Sequence, residues 1–136
     1  MDDLKASKII SLSGMRAQAT RIRVVSENIA NADSVSKQRG GKPYQRKIVT
    51  FKNEMDKAIG AKVVKVSEIS TDNSPFNAKY DPMSPAADEK GYVLLPNINP
   101  LVEMMDLREA QRSYEANVKA VSVAKDMTAR TIDILR

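Results

Sequence analysis

The sequence predicts a mainly α protein: two long terminal helices packed as a coiled-coil-like pair, with a small β/loop segment between them. Three observations carry that reading. Apolar residues recur at helical spacing near both ends of the 136-residue chain. Five of the six prolines and four of the five glycines fall between Ser34 and Asn97, where they break regular structure. Aromatic residues make up only 4%, which leaves burial to Val, Ile, Leu, Met and Ala on extended helix faces. The expected organisation is an N-terminal helical part over 1–34, a β/loop-rich middle over 35–97 and a C-terminal helix over 98–136.

From Leu4 to about Ala32 the residues Leu12, Met15, Ala19, Ile22, Val25 and Ile29 line one helical stripe, uninterrupted by Pro. Gly14 lies inside it at a cost of up to about 1 kcal/mol against Ala. Either it is simply tolerated or another backbone approaches closely there. In the middle, Tyr44 to Phe51, Lys62 to Ile69 and Gly91 to Leu95 have the length and branching of strands, while 72–75 and 81–85 have turn composition. Asn99-Pro100 then supplies a helix N-cap and first residue, with Glu103 placed to meet the positive end of the helix dipole.

Beyond Leu101 nothing breaks the helix. Leu107, Ala110, Tyr114, Asn117, Val121, Ala124, Thr128, Thr131 and Leu135 follow a 3-4 spacing suited to a seam against another helix. A second stripe of Ala116, Ala120, Val123, Met127 and Ile134 runs about 200° round the helix from it. A helix from Pro100 to Arg136 would extend about 55 Å, whereas a compact chain of this length has a radius of gyration of about 14 Å. The chain supplies only two long helices, so the second stripe has no evident cover of its own. The sequence therefore points to a partner.

Catalysis and cofactor chemistry have little to work with. The chain has no His and no Cys, which removes the commonest base, the commonest metal ligand and the thiolate nucleophile. No spacing of Asp, Glu, Lys, Ser or Tyr suggests an acid–base pair or a phosphate loop. No catalytic residue, cofactor or metal is expected. A net charge of +5 and the basic run Lys37, Arg39, Lys42, Arg46 and Lys47, with Tyr44 available for stacking, make a small nucleic-acid-binding protein using the 37–47 loop the alternative function. Against it stand the near charge balance of both helices and the lack of a reader motif. Charges at Asp2, Asp3, Lys5, Lys8, Arg16, Arg21 and Arg23 leave no apolar stretch long enough for a cleaved signal peptide, and no later run suggests a membrane span.

The segment Ser26-Glu27-Asn28-Ile29-Ala30-Asn31-Ala32-Asp33-Ser34 resembles the motif closing the N-terminal helix of the flagellar axial proteins, the rod, hook and hook-associated subunits. Ala110-Gln111-Arg112-Ser113-Tyr114-Glu115-Ala116-Asn117 resembles the motif inside their C-terminal helix. The middle is similar to proximal-rod subunits at Gly41 to Lys47, Tyr80-Asp81-Pro82, Ala87-Asp88, Gly91-Tyr92-Val93 and Pro96 to Asn99, and departs from them at Met83-Ser84-Pro85.

The resemblance implies a structural subunit that self-associates into a hollow drive shaft needed for motility, located in the periplasmic rod of the basal body. It implies export through the flagellar type III apparatus without a cleaved leader. Its expected partners are proximal and distal rod proteins, the rod-base adaptor and membrane-ring components. The residues expected at subunit interfaces are Leu12, Met15, Ile22, Asn28, Ile29 and Asn31 from the first helix. From the second they are Gln111, Tyr114, Asn117, Val121, Val123, Met127, Ile134 and Leu135.

Overall fold

The computed structural model describes residues 2–136. Helix α1 runs Asp2–Ala30 and helix α2 Pro100–Ile134. Between them lie four strands, β1 (Lys47–Asp56), β2 (Ala61–Thr71), β3 (Asn77–Tyr80) and β4 (Tyr92–Leu95). The strands form two separate two-stranded sheets, β1 with β2 and β3 with β4. The chain folds into two compact units, each containing part of both helices. One comprises the stretch up to Ile22, Val49–Glu68 and Arg108–Arg136, and the other Arg23–Ile48 and Ile69–Leu107. Among the described residues no helix is long and apolar enough to cross a membrane.

In the first unit, β1 and β2 are joined by four residues, a connection only an antiparallel pair allows. Gly60 takes the left-handed conformation that closes this turn, at φ 63°. The hairpin is pinned to α1 by Ser13, whose hydroxyl accepts a bond from the Val64 amide at 3.2 Å and donates to the Ile10 carbonyl at 2.6 Å. The two helices run antiparallel in this unit, because Gly14 faces Asn117 and Arg21 pairs with Glu109 at 3.4 Å. The close approach at Gly14 comes from a side chain, that of Asn117, and not from another backbone. A Cβ there would stand 2.9 Å from Asn117 Nδ2, nearer than an unmoved neighbour allows.

In the second unit β3 and β4 pair antiparallel, from Asn77 opposite Leu95 to Tyr80 opposite Tyr92. The two tyrosine rings meet edge to face with centroids 5.3 Å apart. Ala86, Ala87 and Val93 form a small buried cluster under this ribbon. Asn99 caps α2 as expected, its Oδ1 accepting from the Leu101 amide at 3.1 Å.

The structure changes several expectations. On α1 the most buried positions are Ser11, Ala17, Val24, Val25 and Asn28, while Ala19 is exposed. The covered face is therefore rotated from the apolar stripe, because small and polar residues let the neighbouring backbone come closest. The first strand begins at Lys47, since residues 44–46 are held by side-chain bonds before the ladder starts. Strand β3 was not anticipated. All four of its residues are exposed, so it lacks the alternation that marks a half-buried strand. On α2 the expected seam is the covered face from Leu107 to Thr131. It ends before Leu135, which follows the helix terminus and is 78% exposed.

The Gly14 contact makes a measurable prediction. Gly14→Ala in an Asn117→Ala background should raise stability by about 0.5–1 kcal/mol, the propensity advantage of Ala in a helix. With Asn117 retained the gain should shrink, because the new Cβ displaces the Asn117 amide from the Ser113 carbonyl, to which it donates at 3.0 Å. Thermal denaturation of the four proteins in this cycle measures the coupling. Equal gains in both backgrounds would show that the two residues do not touch.

Candidate functional site

Two features of the structure bear on function: an uncovered face of α2 in the first unit, and a buried polar cluster in the second. Along α2 the covered seam and the uncovered stripe separate as the spacing predicts. Ala110 and Ala124 are buried and Tyr114, Asn117 and Val121 half-buried. On the other stripe Val123 is 55%, Met127 52% and Ile134 85% exposed, with Ala116 and Ala120 exposed between the helix turns. Gln111 is also exposed and makes no bond to α1. On α1, Leu12, Met15, Ile22 and Ile29 keep part of their surface in solvent. Asn31 is half-buried and folds back on its own helix, donating to the Glu27 carbonyl at 2.8 Å.

Asn28 behaves differently. It is completely enclosed within the chain, at 0% exposure, and all its hydrogen-bonding capacity is used internally. Its Nδ2 donates to the Lys47 carbonyl at 2.9 Å and to Glu103 Oε2 at 3.1 Å. Its Oδ1 accepts from the Lys47 amide at 3.0 Å and the Tyr44 hydroxyl at 3.0 Å. Glu103, in the first turn of α2 and 1% exposed, receives Arg46 Nε on its other oxygen. Arg46 also reaches Asp72 at 3.4 Å. One amide thus connects the end of α1, the start of β1 and the start of α2.

Further polar groups close the surroundings. Asn97 Oδ1 accepts from the Arg46 amide at 2.9 Å, and its Nδ2 donates to the Asp72 carbonyl at 2.9 Å. Gln45 donates to the same carbonyl at 2.7 Å. Lys47 Nζ pairs with Glu27 at 2.9 Å, and Arg23 meets Glu27 from one turn away at 3.0 Å.

These contacts tune the local charges. The Lys47 hydrogen bond holds Glu27 below the usual carboxylate range, and the same bond raises Lys47. Asp72 is held low chiefly by the Ser74 amide, then by the Ser74 hydroxyl and Arg46. Burial pulls Arg46 down, but Glu103 and Asp72 outweigh it and leave the guanidinium raised. Burial pushes the Tyr44 hydroxyl up.

Sequence reasoning gave Glu103 only a dipole role and missed Arg46 and Tyr44 as structural groups. The available signal was Glu103 itself, a charged residue one turn inside a helix among apolar neighbours. The same contacts engage three of the five cations of the basic run and its tyrosine, which weakens the nucleic-acid reading, while Lys37 and Lys42 stay exposed. Arg46 and Lys47 are neutralised by Glu103, Asp72 and Glu27, the Tyr44 hydroxyl is bonded to Asn28, and Arg39 donates to the Ala87 carbonyl at 3.2 Å.

Two long helices flank a β segment along the chain and one helix face is left bare, and comparison with known proteins gives the family. Residues 10–36 match the family "Flagella basal body rod protein", and residues 89–134 match "Flagellar basal body rod FlgEFG protein C-terminal". The chain is 48% identical to the flagellar basal-body rod protein FlgC of Agrobacterium fabrum, across 100% of this chain and 98% of the relative. It is 42% identical to the proteins of that name from Bacillus subtilis, covering 92% of this chain and 93% of the relative, and from Aquifex aeolicus, covering 98% of each. The chain belongs to the FlgC family of flagellar basal-body rod proteins.

Two predictions follow from the cluster. Glu103→Gln removes a buried charge from beside Arg46, which keeps some solvent, and should cost about 2–3 kcal/mol. Glu109→Gln, whose pairing with Arg21 is at the surface, should change stability by less than about 0.5 kcal/mol. Denaturant unfolding distinguishes them, and equal costs would contradict the assignment.

The second concerns acid. The folded-state values of Glu27 and Asp72 lie below their unfolded ones, so the stability they contribute is fully present above the ordinary carboxylate range. It is lost as pH falls through their lowered values. Lys47 has the opposite sign, and its contribution fades only as pH rises through its raised value. Melting curves of the native chain and of a Glu27→Gln/Asp72→Asn variant should converge toward pH 3, the native chain being the more stable at pH 7. Parallel curves would show that these carboxylates do not carry acid sensitivity.

Proposed function

We propose that this chain is a structural subunit of the flagellar basal-body rod, without catalytic activity, that polymerises through its terminal helices. The carrying observation is the bare stripe of α2. Burying the exposed part of Val123 and Met127 against neighbouring subunits would contribute roughly 1 kcal/mol each, and burying Ile134 roughly 2 kcal/mol, an amount the single chain forgoes. The relatives are rod proteins by name, and a rod needs subunits whose uncovered faces are covered by their neighbours.

In this reading the two helices act as a coiled-coil-like pair. Residues 1–34 and 98–136 build the axial core, and 35–97 lie outward of it. Val123, Met127, Ile134, Leu135 and Gln111 meet neighbours through their exposed surface. Leu12, Met15, Ile22, Ile29, Asn31, Tyr114, Asn117 and Val121 do so through the parts left uncovered, and Asn28 contributes by shaping the helix end from within. The place of action is the proximal rod in the periplasm, reached through the flagellar type III apparatus without a cleaved leader. The neighbours are proximal and distal rod proteins, the rod-base adaptor and the membrane ring. Transmission of torque is what such a shaft does mechanically.

Val123→Glu separates assembly from folding. Because Val123 is half-exposed in the free chain, the variant should lose no more than about 0.5 kcal/mol as an isolated subunit. In the rod the unpaired carboxylate would be buried at considerable cost, so the variant should fail to restore motility to a deletion strain that the native chain restores. A strongly destabilised subunit, or a motile strain, would contradict the role assigned to this stripe.

A further inference from the structure

The apolar side chains buried in this protein are small. Ala17, Val24, Val25, Ala32, Val63, Ala86, Ala87, Val93, Ile98, Ala110 and Ala124 make up the buried hydrophobic set among the described residues, with no Leu, Met or Phe. The largest fully buried side chain is instead that of Glu103, followed by Val24, Asn28 and Pro96. Short aliphatic groups interlock weakly, so a core made of them admits more than one way of sliding two helices past each other. The buried polar groups are far more selective. Each has a fixed number of donors and acceptors, and a displaced partner leaves a charge or an amide unsatisfied.

We propose that Asn28, Glu103 and Arg46 determine the register of α1 against α2 and β1 in the second unit, acting through uniqueness of packing more than through stability. The geometry gives each its part. Successive residues of a helix are separated by about 100°, so a slip of one position in α1 would carry Asn28 out of the cluster and bring in Glu27 or Ile29. Glu27 would set a second carboxylate beside Glu103, and Ile29 would leave both the Lys47 amide and its carbonyl without partners. A slip of α2 would withdraw Glu103 from Asn28 and from Arg46 together, leaving the guanidinium with Asp72 alone. Only the observed register pairs all four polar positions of the Asn28 amide. Val24 and Val25, on the same stretch of α1, offer no such discrimination.

A buried ionic group of this kind can be replaced by well-packed apolar residues at little net cost in stability, whereas removal of one partner alone is costly. That difference supplies the test, made on the full chain. Arg46→Met/Glu103→Leu, which removes the ionic pair together and keeps Asn28 on the Lys47 amide and carbonyl, should melt cooperatively within a few degrees of the native protein. Its heteronuclear amide spectrum should nonetheless show multiplied or exchange-broadened peaks for residues 23–48 and 69–107, where the native chain gives one peak each. Glu103→Gln, which keeps the side chain's shape and one of its two acceptors, should melt at lower temperature yet retain a single set of peaks. A double variant with one sharp peak per residue would overturn the proposal, and so would one that fails to fold, since the ionic pair would then carry stability.

The inference rests on the rod reading only for its consequence, that a mixture of registers presents a mixture of surfaces and should not restore motility. The spectra are read without any rod. A native chain that fails to restore motility would sink the rod reading and leave the register result standing.

Discussion

The contact between the Asn28 amide and the Glu103 carboxylate is the constraint on which the second unit depends. Neither group has access to water, so each must be satisfied by the chain. The residues that satisfy them come from three different places: the last turns of α1, the entry to β1 and the first turn of α2. Glu103 sits where the helix dipole favours an anion, and Arg46 neutralises it from the loop side. Without Arg46 the carboxylate would be an uncompensated buried charge. Arg46, which as part of a basic run suggested a nucleic-acid partner, is therefore part of the fold and meets an internal electrostatic requirement.

That requirement complements the character of the apolar core. Ala and Val are small, and they bury little area for each residue ordered. The larger apolar side chains are left outside, on the stripe of α2 that ends at Ile134 and on the exposed residues Leu101, Met104 and Met105 of its first turns. A monomer built this way gives up much of its hydrophobic stabilisation. Its family shows why that is tolerable, since a rod subunit has neighbours to cover what the single chain exposes.

Much of this was legible in the sequence. Helical periodicity located both helices, and the 3-4 spacing from Leu107 to Thr131 separated the covered face of α2 from the bare one. The Asn99-Pro100 pair marked the start of that helix. The face of α1 was harder to read, because its contacts run through Ser11, Ala17 and Asn28 where hydrophobicity alone favours Met15 and Ala19. Strand β3 was invisible for a related reason: its four exposed residues pair through the backbone and bury nothing. The cluster itself could not be assembled from spacing, since Asn28, Arg46 and Glu103 lie far apart in the chain and their meeting depends on tertiary structure. Asn28 was nevertheless singled out from its motif, for a role between subunits, and its side chain is enclosed within one.

The most direct measurement is native-state hydrogen exchange of the amides the cluster holds. The Lys47 N–H is bonded to Asn28 Oδ1 and the Arg46 N–H to Asn97 Oδ1, both side-chain acceptors at the edge of regular structure. If the cluster closes the second unit, these two amides open only with the unit as a whole, and they exchange as slowly as the central amides of β4. Exchange of either at the rate of an exposed loop amide, such as that of Lys57, would contradict the account.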